Sequence, residues 1–180
     1  MTLMIIAAAV LSVTLLLAVF AYYKIKNADK TVYSARTALN VQLSFRREMV
    51  KNLSTRVSGL AQDNGEIISA VMKLTAEPDT DFNIETRAAQ ENNLSSNLTA
   101  LFKLCAAADA VKNNRDFILG KKSLFKCGEK IKQAAAFYNN SVRDYNTMIS
   151  IFPASVAAKM FDYGPAGFFN FEVTKDFPSP

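Results

Sequence analysis

From Met1 to Tyr23 the chain carries no charged side chain; Lys24, Lys26 and Lys30 follow at once, and from Val32 onward apolar and polar residues alternate at helical spacing. At about 1.5 Å rise per residue, roughly 20 apolar helical residues cross the ~30 Å hydrocarbon layer of a bilayer. Residues 1–23 therefore predict a transmembrane anchor. Between Val32 and Leu74 the apolar positions step by three and four: Val32, Leu39, Leu43, Val50, Leu53, Val57, Leu60, Ile67, Val71 and Leu74 fall on one seam, interrupted by Arg36, Arg46 and Asn64. No proline breaks the stretch, although Gly59 and Gly65 lower its helix preference. The pattern predicts a helix of about 40 residues, on the order of 60 Å, running straight on from the anchor.

Glu77-Pro78-Asp79-Thr80-Asp81 ends this helix, because proline cannot continue it, and Asp81 is a fair N-cap for the next, with Ile84 and Glu85 in its first turn. The second helix is predicted from Phe82 to Ala110, with Ile84, Ala88, Leu94, Leu98, Leu101, Cys105 and Ala108 on its seam. Asn113 to Asp116 is polar and reads as a turn. A third helix is predicted from Asp116 to Ser150, with Phe117, Leu124, Ile131, Ala135, Tyr138, Val142, Tyr145 and Ile149 in step. Pro153 stops or kinks it, Ala154 to Phe161 suits one or two further turns, and the chain from Asp162 is rich in Phe, Gly and Pro without a period. Short connections favour antiparallel neighbours. The fold class is thus all-α: a transmembrane helix, then an antiparallel up-down bundle of three long helices plus a short C-terminal helix. In segments, 1–23 is the anchor, 24–30 a basic juxtamembrane segment, 31–161 the bundle and 162–180 a Phe/Pro-rich tail. The same seams admit a coiled coil between chains. A bundle within one chain costs less entropy and is preferred, although the first helix outruns the second and leaves part of its seam for a partner.

A cleaved signal peptide is the rival reading of the N-terminus, with Val19-Phe20-Ala21 as its cleavage site. No Lys or Arg precedes the apolar run, and the run exceeds the 7–15 residues usual for such a segment, so the anchor is favoured. Tyr22 and Tyr23 stand where interfacial aromatics belong, and Lys24, Lys26 and Lys30 sit on the inner side by the positive-inside rule. That puts the N-terminus outside and the rest of the chain in the cytoplasm. Ala8 and Ser12 are a small-xxx-small pair that would let anchors pack together, but the pattern is so common that lipid-facing positions explain it better.

The formal net charge of +5, from 21 basic and 16 acidic residues, is modest, and the juxtamembrane lysines supply part of it. A basic collar beside a bilayer is drawn to anionic lipid. No long basic stripe interleaved with aromatics points to nucleic acid, which is not expected as a partner. Histidine is absent, which removes the commonest general base and neutral metal ligand. Cys105 and Cys127 are far apart and lie on apolar faces, so buried thiols are expected. No phosphate loop or nucleophile elbow occurs, and Glu129 and Asp144 are carboxylates with no spacing that marks them for catalysis. The chain is expected to be non-enzymatic, with no metal or cofactor. Asn-x-Ser/Thr triplets at Asn52, Asn93, Asn97 and Asn139 fall inside predicted helices and read as chance.

The densest polar-aromatic signal is Phe137-Tyr138-Asn139, Val142, Tyr145-Asn146 and Phe152-Pro153. Seven-residue spacing puts Tyr138 and Tyr145 on one helix face, with Asn139 and Asn146 beside them. A buried tyrosine still seeks a partner for its hydroxyl, and a half-buried amide can fix helix register. These residues predict a structural seam.

With Val41-Gln42-Leu43, Arg46-Arg47, Asn52-Leu53 and Gly59 near the first helix, and Glu129, Ile131, Tyr138-Asn139, Val142, Tyr145-Asn146, Phe152-Pro153, Ala158-Lys159, Phe161 and Phe168-Phe169 in order near the end, the chain resembles the LemA family of bacterial membrane proteins. It departs from the family's pattern at Asn40 (usually Asp), Lys51 (Pro), Ala135 (Arg) and Asp162 (Gly). The resemblance implies architecture more than activity: a helical bundle behind an N-terminal span, at a bacterial inner membrane. One branch of the family comprises magnetosome membrane proteins, and family genes tend to lie beside membrane metalloproteases, which suggests a quality-control partner. The expected role is a scaffold or adaptor that acts through self-association. Alternatives are a regulatory partner of a membrane enzyme such as a metalloprotease, or a magnetosome-membrane protein. Phe161, Phe168, Phe169, Phe171 and Phe177 are too apolar to leave in water and are expected to dock, on their own bundle or on a neighbour.

Overall fold

The computed structural model describes residues 1–58, 65, 69, 83–107 and 109–172. Among these the regular elements are helices: α1 Thr2–Ser58, α2 Ile84–Ala107, α3 Asp109–Lys112, α4 Arg115–Ser150 and α5 Ala154–Met160. The all-α class and the order of three long helices and a short last one are as the pattern predicts. Apart from residues 65 and 69, the expected end of the first helix (Leu60 to Leu74) lies outside the described residues, as do the Glu77–Asp81 break and Phe177.

α1 joins the apolar N-terminal stretch to the first amphipathic stretch without a break, as a segment free of proline allows. The cap of α2 falls on Asn83, whose Oδ1 accepts the Glu85 backbone N–H at 3.0 Å. Asn114 caps α4 twice over, accepting from the N–H groups of Asp116 and Phe117 at 2.9 and 3.2 Å. Both are asparagines immediately before a helix, where a short side-chain acceptor satisfies orphan donors. α5 ends with Asp162 at φ 57°, in the left-handed region. The Tyr163 N–H reaches back to the Ala158 carbonyl at 2.9 Å, the long bond of a Schellman turn.

The chain forms two compact units. The first comprises Met1–Arg36 and Phe137–Gly167. Its buried apolar side chains include Ala21, Ile25, Val32 and Ala35 of α1, Tyr138, Val142 and Tyr145 of α4, and Ala154, Ala157 and Ala158 of α5. The second comprises Thr37–Ala136 and Phe168–Pro180, of which the structure describes the tail to residue 172. Its core joins Val50, Leu53 and Val57 of α1 to Leu94, Leu98, Leu101, Phe102 and Cys105 of α2, Val111 of α3, and Phe117 and Leu124 of α4. Phe102 and Phe117 meet edge to face at 6.0 Å. In this unit α1 and α4 are antiparallel: Gln42 pairs with Cys127, Leu53 faces Gly120, and Arg56 reaches Asp116. At Gly120 an added Cβ would stand 2.8 Å from Leu53 Cδ1, so the missing side chain is what lets the two helices approach there.

Candidate functional site

Three groups of side chains stand out. The first is at the C-terminal end of the apolar stretch. Tyr22 is half-buried, and Tyr23, Lys24, Lys26 and Lys30 are exposed. Lys24 Nζ lies 5.2 Å from the Phe20 ring centre and Lys26 Nζ 6.0 Å from that of Tyr22. Each ammonium thus rests over an aromatic face that attracts it. The Tyr22 ring also meets Phe161, with centroids 4.8 Å apart. An 18-residue window of α1 is long and apolar enough to cross a membrane, and none of it is buried inside the protein.

The second group is the Tyr-Asn repeat of α4. The hydroxyls of Tyr138 and Tyr145 donate to the carbonyls of Gly167 and Gly164, at 2.9 and 3.0 Å. Asn146 makes a two-way amide pair with Ala166: its Nδ2 donates to the carbonyl and its Oδ1 accepts the N–H, both at 2.9 Å. Residues 164–167 have no helix of their own to satisfy their backbone. The repeat supplies those partners, which is why a seam position takes a tyrosine in place of a leucine. Burial pushes the hydroxyl pKa of both tyrosines up; nearby Arg36 opposes the rise at Tyr138, and Asp29 adds to it at Tyr145. Asn139, beside Tyr138, is half-buried. Phe152 precedes a cis proline, Pro153, and is 76% exposed.

The third group is a charge cluster buried in the second unit. Arg46, Arg47, Arg87 and Glu91 are 2%, 8%, 5% and 1% exposed. Glu91 Oε2 accepts from Arg46 Nη1 at 3.3 Å, and Oε1 accepts from Arg47 Nη2 at 2.8 Å. Arg87 Nε, one helical turn before Glu91, stands 3.6 Å from the same Oε1. Arg46 Nη2 also donates to Ser95 Oγ at 2.7 Å, and the Ser95 hydroxyl donates in turn to the Glu91 carbonyl at 2.8 Å. Burial lowers the Arg46 pKa, against the pull of Glu91. It brings Arg87 down to about 10, with the like charge of Arg47 adding to the effect. Both stay charged at neutral pH.

The tail closes over this cluster. The Phe171 ring centre is 5.5 Å from Arg46 Cζ, and Phe169 stacks on Phe171 at 5.9 Å. Asn92 holds the backbone on both sides of Phe171, donating to the Asn170 carbonyl at 3.1 Å and accepting the Glu172 N–H at 3.0 Å. Of the phenylalanines expected to make assembly contacts, Phe169 is therefore buried within its own unit and Phe171 is taken up by Arg46, while Phe161 and Phe168 remain 55% and 37% exposed. An Asn side chain that bonds both ways to the backbone around Phe171 explains the docking of the tail on its own chain. Cys105 and Cys127 are free and buried, and burial raises both thiol pKa values. Among the described residues no three His, Cys, Asp or Glu side chains gather as metal ligands would.

The glutamate at the centre of the cluster escapes sequence reading. Arg46 is visible only as a gap in the α1 seam, and the signal that would complete it is a carboxylate near the opposing seam, Glu91, three residues before Leu94. The fold and these groups define an all-helical protein with an apolar N-terminal helix able to span a bilayer and a C-terminal tail clasped to its own helices. None of the curated proteins matches the chain. A model of the LemA family matches residues 35–179, and the chain belongs to that family.

Proposed function

We propose that this protein is a non-enzymatic scaffold or adaptor, anchored in a bacterial inner membrane by residues 1–23 and acting in the cytoplasm through contacts of its helical units with one another across chains. The observation that carries the reading is the apolar window of α1, wholly unburied in its own chain and continuous with the amphipathic helix that follows. The basic collar of Lys24, Lys26 and Lys30 supports the orientation. Absence of histidine from the chain supports a non-enzymatic role. Self-association is supported by Val41 and Phe45, one turn apart on α1 and 59% and 55% exposed, which make an apolar spot in the second unit.

The test is mass determination after mild detergent extraction, with lysine cross-linking in native membranes and identification of captured proteins. Oligomers that Phe45→Glu dissolves support the reading. A monomer with no cross-linked copy refutes self-association, and capture of one membrane enzyme in constant ratio replaces it with a regulatory role. Orientation is read separately from thiol-specific labelling of Lys122→Cys in sealed cells and in lysed ones. Labelling in sealed cells would overturn the cytoplasmic assignment.

A further inference from the structure

α5 and the turn before it are amphipathic the wrong way round for water. Phe152, Val156 and Met160, at i, i+4 and i+8, are 76%, 50% and 74% exposed, with Ile151 and Phe161 at 58% and 55% beside them. The face turned inward is small: Ala154, Ala157 and Ala158 are 9%, 4% and 3% exposed. A helix docked on a soluble protein buries its large apolar residues and shows its small or polar ones. Here the large residues stay exposed.

The position of this stripe says what covers it. Phe152, Val156, Met160 and Phe161 line one side of an apolar groove of about 440 Å³ whose other side is Thr14, Leu15, Ala18 and Tyr22 of the candidate span. The stripe is thus continuous with the surface that faces lipid if α1 crosses a bilayer. Tyr22 touches Phe161 at the level of the juxtamembrane lysines, where interfacial aromatics belong. Lys159, on the same short helix, is exposed and long enough to reach headgroups from the edge.

We propose that α5, with the Ile151–Pro153 turn, is a second membrane element seated in the leaflet beside the C-terminal end of the span, and that the groove between them holds lipid acyl chain. This rests on the reading of residues 1–23 as a membrane anchor. The chain would then touch the bilayer at two places far apart in sequence, and the lipid-facing surface of the first unit would comprise both.

The test uses the full chain in phosphatidylcholine/phosphatidylglycerol vesicles containing acyl-chain spin-labelled lipid. An environment-sensitive fluorophore is attached to Val156→Cys, to Met160→Cys, to Leu11→Cys as the span control and to exposed Glu129→Cys as the water control, with the unsubstituted chain reporting labelling of Cys105 and Cys127. Emission from positions 156 and 160 should be quenched to a degree comparable with position 11, and emission from 129 should be unchanged. Quenching at 11 with none at 156 and 160 overturns the proposal and leaves the anchor standing; it is the result expected if another segment or a second copy covers α5. No quenching at 11 overturns the anchor and the proposal together. A phosphatidylcholine carrying a photoreactive acyl chain needs no substitution: its adducts should map to the peptide holding Ala154–Met160 as well as to residues 2–23. Adducts on the latter alone count against the proposal.

Discussion

Glu91→Gln keeps the shape of the side chain and removes a carboxylate that contacts Arg46, Arg47 and Arg87 together. The three N···O separations are 3.3, 2.8 and 3.6 Å. At an effective dielectric near 20, each pair is worth roughly 5 kcal/mol before desolvation and the mutual repulsion of the guanidinium groups are subtracted. The net effect is smaller. Removing one partner of a buried pair costs about 3–5 kcal/mol, because charge is left without compensation. Domains are commonly stable by only about 5–15 kcal/mol. With a urea dependence near ~2 kcal/mol/M, the unfolding midpoint should fall by about 2 M. The assay is a urea titration of the full chain in detergent micelles, read by pulse alkylation of Cys127. That thiol is buried in the same unit and lies 4.0 Å from the Gln42 carbonyl of α1. Adding Arg46→Met to Glu91→Gln takes away one uncompensated charge, so the double variant should be more stable than Glu91→Gln alone. A midpoint shift under about 0.5 M, or strict additivity of the two substitutions, would refute the claim that Glu91 neutralises this interior.

Asn146→Ala removes both bonds to Ala166 and should destabilise the first unit by about 1–3 kcal/mol, with earlier proteolytic cleavage after Phe161; unchanged cleavage would mean the clasp contributes nothing. Asp162→Gly relieves a side chain held at φ 57° and should raise the thermal midpoint through a gain of about 0.5–1 kcal/mol, whereas a loss would show that the carboxylate has a partner that matters more than its backbone. Gly128→Ala, with nothing within 4 Å of the new Cβ, should stabilise α4 by up to about 1 kcal/mol, while Gly120→Ala should fall short of that gain because it pushes on Leu53; equal gains at both sites would contradict the close approach. Both thiols have raised pKa values in the folded state, so their contribution to stability is complete below the unfolded value of about 8.5 and is lost as pH climbs through the folded one. The urea midpoint should therefore decline as pH rises past about 8.5, and Cys105→Ala with Cys127→Ala should flatten that decline; the same slope without the thiols would exclude them as its cause.

Apolar periodicity made most of the interior legible. Val32, Leu39, Leu43, Val50, Leu53 and Val57 are all buried, as are Ile84, Ala88, Leu94, Leu98, Leu101 and Cys105, because a three-four step needs only helix geometry to become a face. Helix ends were legible to within a few residues where a proline or a paired asparagine marked them, as at Asn113-Asn114 and Pro153. The Tyr-Asn repeat was visible as a structural seam. Its partner was not, since Gly164, Ala166 and Gly167 contribute only backbone and backbone groups leave no trace in residue type. Phe169 and Phe171 could be recognised as residues that must dock, yet apolarity does not say on what. The buried cluster was the least legible element. An arginine within a seam reads as an interruption until the carboxylate from a different helix is known, and nothing local ties Glu91 to Arg46.

The position of Glu91 has a consequence for how α1 and α2 find each other. Leucines at three-four spacing match leucines equally well if one helix slides by seven residues along the other. Such a slide carries Glu91 about 10 Å from its arginines and sets each charge against a hydrocarbon wall. One alignment of the two helices satisfies the carboxylate and the alternatives strand it. The glutamate acts as a pin on an otherwise featureless ruler, choosing among packings that the apolar residues alone would treat as the same.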